Sequence, residues 1–80
     1  MLIAKCINNI DPITNKPILD LEVGKEYVVD YISMGQSHTT VQIDFGNKDF
    51  RHFNSIHFDF YENGRKKNIY NSKKYNPYLL

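Results

Sequence analysis

From Thr39 to Phe45 the chain alternates without a break: Val41, Ile43 and Phe45 fall on one side, Thr40, Gln42 and Asp44 on the other. A period of two is the signature of a half-buried β-strand. No window of eleven residues shows a capped 3.6-residue period, so helices are excluded as the main building element.

The other segments read in the same terms. Met1 to Ile7 forms a strand with Leu2, Ala4 and Cys6 on one face. Asn8 to Asp20 is a loop, because Pro12 and Pro17 exclude a helix interior. Lys25 to Ile32 is a second strand, with Tyr27, Val29 and Tyr31 expected on one face and Val28, Asp30 and Ile32 on the other. After Thr39–Phe45, Gly46-Asn47 suits a type II′ hairpin turn leading into a return strand, Lys48 to Phe53. Asn54-Ser55-Ile56 suits one helical turn, and His57 to Tyr61 a last strand with Phe58 and Phe60 inward. Asn63-Gly64 is read as the stop. Five short strands with a long first loop favour a small, partly open barrel over residues 1–62, followed by a tail over 63–80.

Eighty residues allow one domain. A hydrophobic content of 41% and an aromatic content of 14% supply a core. Cys6 is the lone cysteine, so no internal disulfide supports the fold and a reducing, cytoplasmic setting is expected. Lys5 comes too early for a signal peptide, and no apolar run is long enough to span a bilayer.

A resemblance adds to this. Lys5-Cys6-Ile7-Asn8-Asn9, then Leu21-x-Val23-Gly24-Lys25-Glu26-Tyr27-x-Val29, then Phe53-x-x-Ile56-x-Phe58 resemble the small SH3-like barrel proteins of low-GC Gram-positive phages and prophages. The likeness covers roughly residues 1–62. It implies an SH3-like barrel and a mobile-element origin, with no activity attached. His57 stands where a basic residue is common in that group.

The chemistry-bearing residues favour no reaction. His52 and His57 have a spacing compatible with zinc, and Asp59 or Cys6 could complete a set, but one such pair without a cysteine pair is a weak signal, and their neighbours Phe53, Ile56 and Phe58 suit half-buried histidines. His38 stands apart from both. Cys6 alternates with Leu2 and Ala4 and reads as a core residue. The nine acidic residues are scattered singly, and no phosphate-binding loop or nucleophile elbow occurs. Neither an enzyme nor a cofactor or metal site is expected. Among the aromatics, Phe45, Phe58 and Phe60 are expected in the core, with one or two of Phe50, Phe53 and Tyr61 left exposed.

Charge is the informative feature. All nine acids lie in residues 1–62 against Lys5, Lys16, Lys25, Lys48 and Arg51, giving −4. Residues 63–80 hold Arg65, Lys66, Lys67, Lys73 and Lys74 without an acid, giving +5. Tyr70, Tyr75 and Tyr78 interleave these cations, a combination suited to nucleic-acid arms. The terminal Tyr78-Leu79-Leu80 favours docking of the tail.

Two functional readings follow. In the first, the acidic barrel, with Asp30 and Asp44 outward, docks on a host protein or protein–nucleic-acid complex and inhibits it, as anti-CRISPR proteins do. In the second, Arg65, Lys66, Lys67, Tyr70, Lys73, Lys74 and Tyr75 bind DNA or RNA. Self-association of the basic tail with a neighbour's acidic barrel is a third possibility.

Overall fold

The computed structural model describes residues 1–79; the part of the expected terminal docking that falls on Leu80 lies outside them. The chain is all-β. Its strands are β1 (Leu2–Cys6), β2 (Glu26–Met34), β3 (Thr39–Asp44), β4 (Phe50–Asn54), β5 (Phe58–Glu62) and β6 (Arg65–Lys67). Two 3-10 turns, Ser55–His57 and Ile69–Asn71, precede β5 and follow β6, and no α-helix occurs among the described residues. The strands form one antiparallel sheet in the order β4-β3-β2-β1-β5-β6. It has six strands rather than five. It is not closed, since β4 and β6 stand at opposite ends of the order without pairing to each other.

The sheet nevertheless curls strongly. On a flat sheet, β4 and β5 would lie about 19 Å apart, at about 4.8 Å per strand. Yet Phe53 on β4 and Phe58 on β5 meet with ring centroids 6.2 Å apart. The contact belongs to an aromatic run, Tyr27–Phe45–Phe53–Phe58–Phe60, with centroid spacings of 5.6 to 6.2 Å. Tilted and edge-on rings at such distances are favourable pairs. Ala4, Cys6, Val41 and Ile43 fill the rest of the concave side and are essentially inaccessible to solvent.

Alternation placed β1, β3 and β5 correctly and failed within β2. Val29 pairs with Ile43 and Tyr31 with Gln42, so Asp30 is an extra residue, a β-bulge. One extra residue inverts the face of everything after it. Tyr31, expected beside Tyr27 and Val29, is therefore 60% exposed, while Ile32 and Met34 pack on the core.

Two turns also differ from expectation. The β3–β4 connection has Asn47 and Lys48 at φ 53° and 61°, and the Asp49 amide donates to the Gly46 carbonyl at 2.9 Å. Two central residues at positive φ make it a type I′ turn on Asn47-Lys48, one position beyond the type II′ turn expected on Gly46-Asn47. Asn63-Gly64, expected to end the fold, has φ 53° and 77° and joins β5 to β6, with Glu62 opposite Arg65. Asn-Gly is the strongest short hairpin signal, and here it extends the sheet.

Residues beyond position 62, expected as a tail, thus supply an edge strand and more. Ile69 is 1% exposed within the core, and Tyr75 packs on it. Tyr78 and Leu79 remain exposed. The long first loop is also organised: the Asn9 side-chain amide donates to the Leu21 carbonyl at 3.0 Å, and the Tyr27 hydroxyl accepts from the Glu22 amide at 2.9 Å.

Candidate interaction surfaces

Asp30 and Asp44 lie on the outer side of neighbouring strands, and neither forms an ion pair among the described residues. The bulge turns the Asp30 carboxylate toward the Gln42 amide, which donates to it at 2.7 Å. The Asp44 carboxylate accepts from the Gly46 amide at 2.7 Å, closing the start of the turn. Two apolar side chains stand beside them: Tyr31 follows the bulge, and Phe50, 42% exposed, is Asp44's partner in register.

The cations of the C-terminal stretch are differently placed. Lys66 lies 3.5 Å from Asp59, while Lys67 and Lys74 lie 3.8 Å and 3.6 Å from Glu62. Glu62 also accepts the Tyr75 hydroxyl at 2.6 Å. That hydrogen bond, reinforced by the two ammonium groups, holds the Glu62 carboxyl below its ordinary pKa. Burial and then the hydrogen bond to Glu62 raise the Tyr75 phenol. Arg65 and Lys73 are exposed and form no ion pair among the described residues. Of the five cations, then, three are held against carboxylates of the body.

Tyr70 is 46% exposed. Its hydroxyl is 2.9 Å from the Ser55 hydroxyl, which ties the second 3-10 turn to the first. Each turn begins with an asparagine cap: Asn54 accepts from the Ile56 amide at 3.1 Å and Asn68 from the Tyr70 amide at 3.0 Å. Between the turns and β5–β6 lies an open cleft of about 590 Å³. Ile56, Phe58, Phe60 and Ile69 form its apolar wall, while Lys66, Lys67 and Asp59 provide its charges. The fold thus gathers Lys66, Lys67 and Tyr70 at one site. Lys73, Lys74 and Tyr75 line a second groove against the end of β2, and Glu62 joins Lys74 and Tyr75 to Lys67.

The remaining candidates are accounted for by structure. Cys6 is 1% exposed, and burial pushes its thiol pKa up, the opposite of what a nucleophile needs. His57 is buried, with Nδ1 2.7 Å from the Asn8 carbonyl, and holds the first loop to β5. His38 and His52 are exposed. No three His, Cys, Asp or Glu side chains gather at metal-binding distance among the described residues. Also among them, no helix is long and apolar enough to cross a membrane.

A profile of the family described as Bacteriophage T4 protein Y07B matches residues 9–80. The chain belongs to this family. No curated protein and no solved structure matches it. The Y07B match runs from the first loop through β6 and both 3-10 turns, so it includes the cleft and the whole cationic stretch. Reading the sequence missed Ser55, Asp59, Glu62 and Ile69 as members of these surfaces. The signal for all four was Asn63-Gly64: read as a hairpin, it brings Arg65–Lys67 beside β5 and the following residues onto the first 3-10 turn.

Proposed function

We propose that this Y07B-family protein is a non-catalytic interaction module, encoded by a phage, that binds a host protein in the cytoplasm and inhibits it. A nucleic-acid-handling protein or a defence complex, inhibited in the manner of anti-CRISPR proteins, is the concrete form of the proposal. One observation carries it: among the described residues Asp30 and Asp44 form no ion pair and stand beside exposed Tyr31 and Phe50, while Lys66, Lys67 and Lys74 face the body's own carboxylates. The surface offered outward is therefore acidic with apolar anchors, which suits a basic nucleic-acid groove on another protein. An SH3-like identity for the first five strands is part of the same proposal. The order β4-β3-β2-β1-β5, with a 3-10 turn between β4 and β5, supports it. Origin in phages of low-GC Gram-positive hosts rests on the motifs of residues 5–58.

Nucleic-acid binding by the cationic stretch is the second reading, favoured by exposed Arg65 and Lys73. Salt dependence separates the two, at about −0.9 in log–log slope per duplex-DNA phosphate neutralised. The slope due to the stretch is measured by fluorescence anisotropy, as the difference from a variant with all five cations changed to glutamine. Contacts by Arg65 and Lys73 alone would give about −1.8, whereas contacts by all five would give about −4.5. A difference near the larger value would replace protein binding by nucleic-acid binding. The protein-binding reading predicts instead that D30K/D44K abolishes capture of the host partner.

A further inference from the structure

We propose that the outer face of β2, β3 and β4 takes an arginine side chain of the partner protein, its guanidinium stacked on Phe50 and held by the carboxylates of Asp44 and Asp30. The inference rests on the reading of this face as the partner-binding surface and names the group that the face receives.

The chain uses the same chemistry once within its own fold. The Arg51 guanidinium lies 4.9 Å from the Phe45 ring centroid, donates to Asp49 through Nε at 3.1 Å and Nη2 at 2.9 Å, and pairs with Asp20 at 2.6 Å. One ring and two carboxylates thus hold one arginine. The outer face repeats that set. Phe50 and Val28 flank Asp44 in register, and His52 and Tyr31 flank Gln42 in the next row. Register partners have Cβ atoms about 4.5–5.5 Å apart, so the Asp44 carboxylate and the Phe50 ring lie within reach of a single guanidinium. Gln42 stands two residues from Asp44 on the same face of β3, about 6.8 Å along the strand. Its amide donates to Asp30, which brings the second carboxylate to the same patch.

These groups are open to an incoming cation. Phe50 is exposed. Asp30 gives Oδ2 to the Gln42 amide and Asp44 gives Oδ1 to the Gly46 amide, leaving the other oxygen of each for a new donor. Lys73 shares a groove with Tyr31, yet neither acid forms an ion pair among the described residues.

A ring beside the acids selects guanidinium over the alternatives. An ammonium group is a compact, strongly hydrated point charge that carboxylates alone would satisfy, whereas a guanidinium stacks and hydrogen-bonds at once. A calcium ion takes six to eight oxygens, more than two carboxylates supply. The arginine belongs to another protein. Of the chain's own two, Arg51 is held as described and Arg65 stands opposite Glu62 across the β5–β6 hairpin.

Amide NMR titration of the full-length protein tests this with two octapeptides of equal charge, one alternating Gly with Arg and the other Gly with Lys. The Arg peptide is expected to shift Asp30, Gln42, Asp44, Phe50 and His52 and to bind at least about threefold more tightly than the Lys peptide. F50L should bring the Arg peptide down to the affinity of the Lys peptide, and D30N/D44N should weaken both together. Equal affinities in the unaltered protein, no binding of either peptide, shifts on another face, or an Arg preference that survives F50L would each overturn the proposal. Concentration-dependent shifts of the same residues without peptide, abolished by R65Q, would also overturn it by making a second copy the occupant. The two readings fail separately. Host capture that survives D30K/D44K would sink the host-protein reading and leave the peptide result standing, whereas equal peptide affinities would sink only the arginine inference.

Discussion

Glu62 shows how a single carboxylate orders a cationic segment. Its side chain is 19% exposed and meets Tyr75, Lys67 and Lys74, which hold the chain after β6 against the end of the sheet. Because its pKa is lowered by folding, it contributes stability that is present above the unfolded carboxyl value and lost as pH falls through the folded one. Acid titration followed by NMR should therefore release Tyr75 only below the ordinary glutamate value of about 4.3. E62Q should show the released signals already at neutral pH, with no further change in that window. Cys6 gives a second residue-scale prediction. With a buried thiol of raised pKa, alkylation by iodoacetamide at neutral pH should proceed at the rate of global unfolding and speed up sharply in denaturant.

Among the elements, the β5–β6 hairpin decides where the cations go. Gly64 at φ 77° occupies a region that costs an L-residue about 1–2 kcal/mol. Gly64→Ala should destabilise the protein by that amount in urea denaturation, while Asn63→Gly should be close to neutral. The β2 bulge is the other decisive element. Deleting Asp30 should remove the extra residue while keeping Ile32 and Met34 on the core side and Tyr31 outward, so the deletion variant should fold with a regular, straighter β2 and lose only the Asp30–Gln42 contact. Native-like amide dispersion checks this, whereas a poorly folded, dye-binding variant would show that the bend made by the bulge is itself required.

On the scale of the whole molecule, the curled sheet and the C-terminal segment share one core. Ile69 is 1% exposed, so Ile69→Ala should cost about 2–5 kcal/mol, a large part of the total of about 5–15 kcal/mol typical of a small domain. Thermal unfolding followed separately at the sheet aromatics and at Tyr70 and Tyr75 should give one coincident transition. Two transitions would show that the last seventeen or so residues fold independently. The same sharing explains the modest free charge of this region: folding back places Lys66, Lys67 and Lys74 within reach of Asp59 and Glu62.

What the sequence determined by itself was local. Period-two alternation identified β1, β3 and β5 and the inward set Ala4, Cys6, Val41, Ile43, Phe58 and Phe60, because burial on one face is written into every second residue. It also identified the helical turn after β4, the buried Cys6 and the outward Asp30 and Asp44. Tertiary structure decided what alternation cannot encode. A bulge depends on the partner strand's count, so the inverted face of Tyr31 and Ile32 was not legible in β2 alone. Whether Asn-Gly ends a fold or extends a sheet depends on what its return strand finds to pair with, here the free edge of β5. The cleft joins β5, β6 and both 3-10 turns, and the Glu62 cluster joins β5, β6 and residues 74 and 75; the pairing that brings them together is a property of the folded chain.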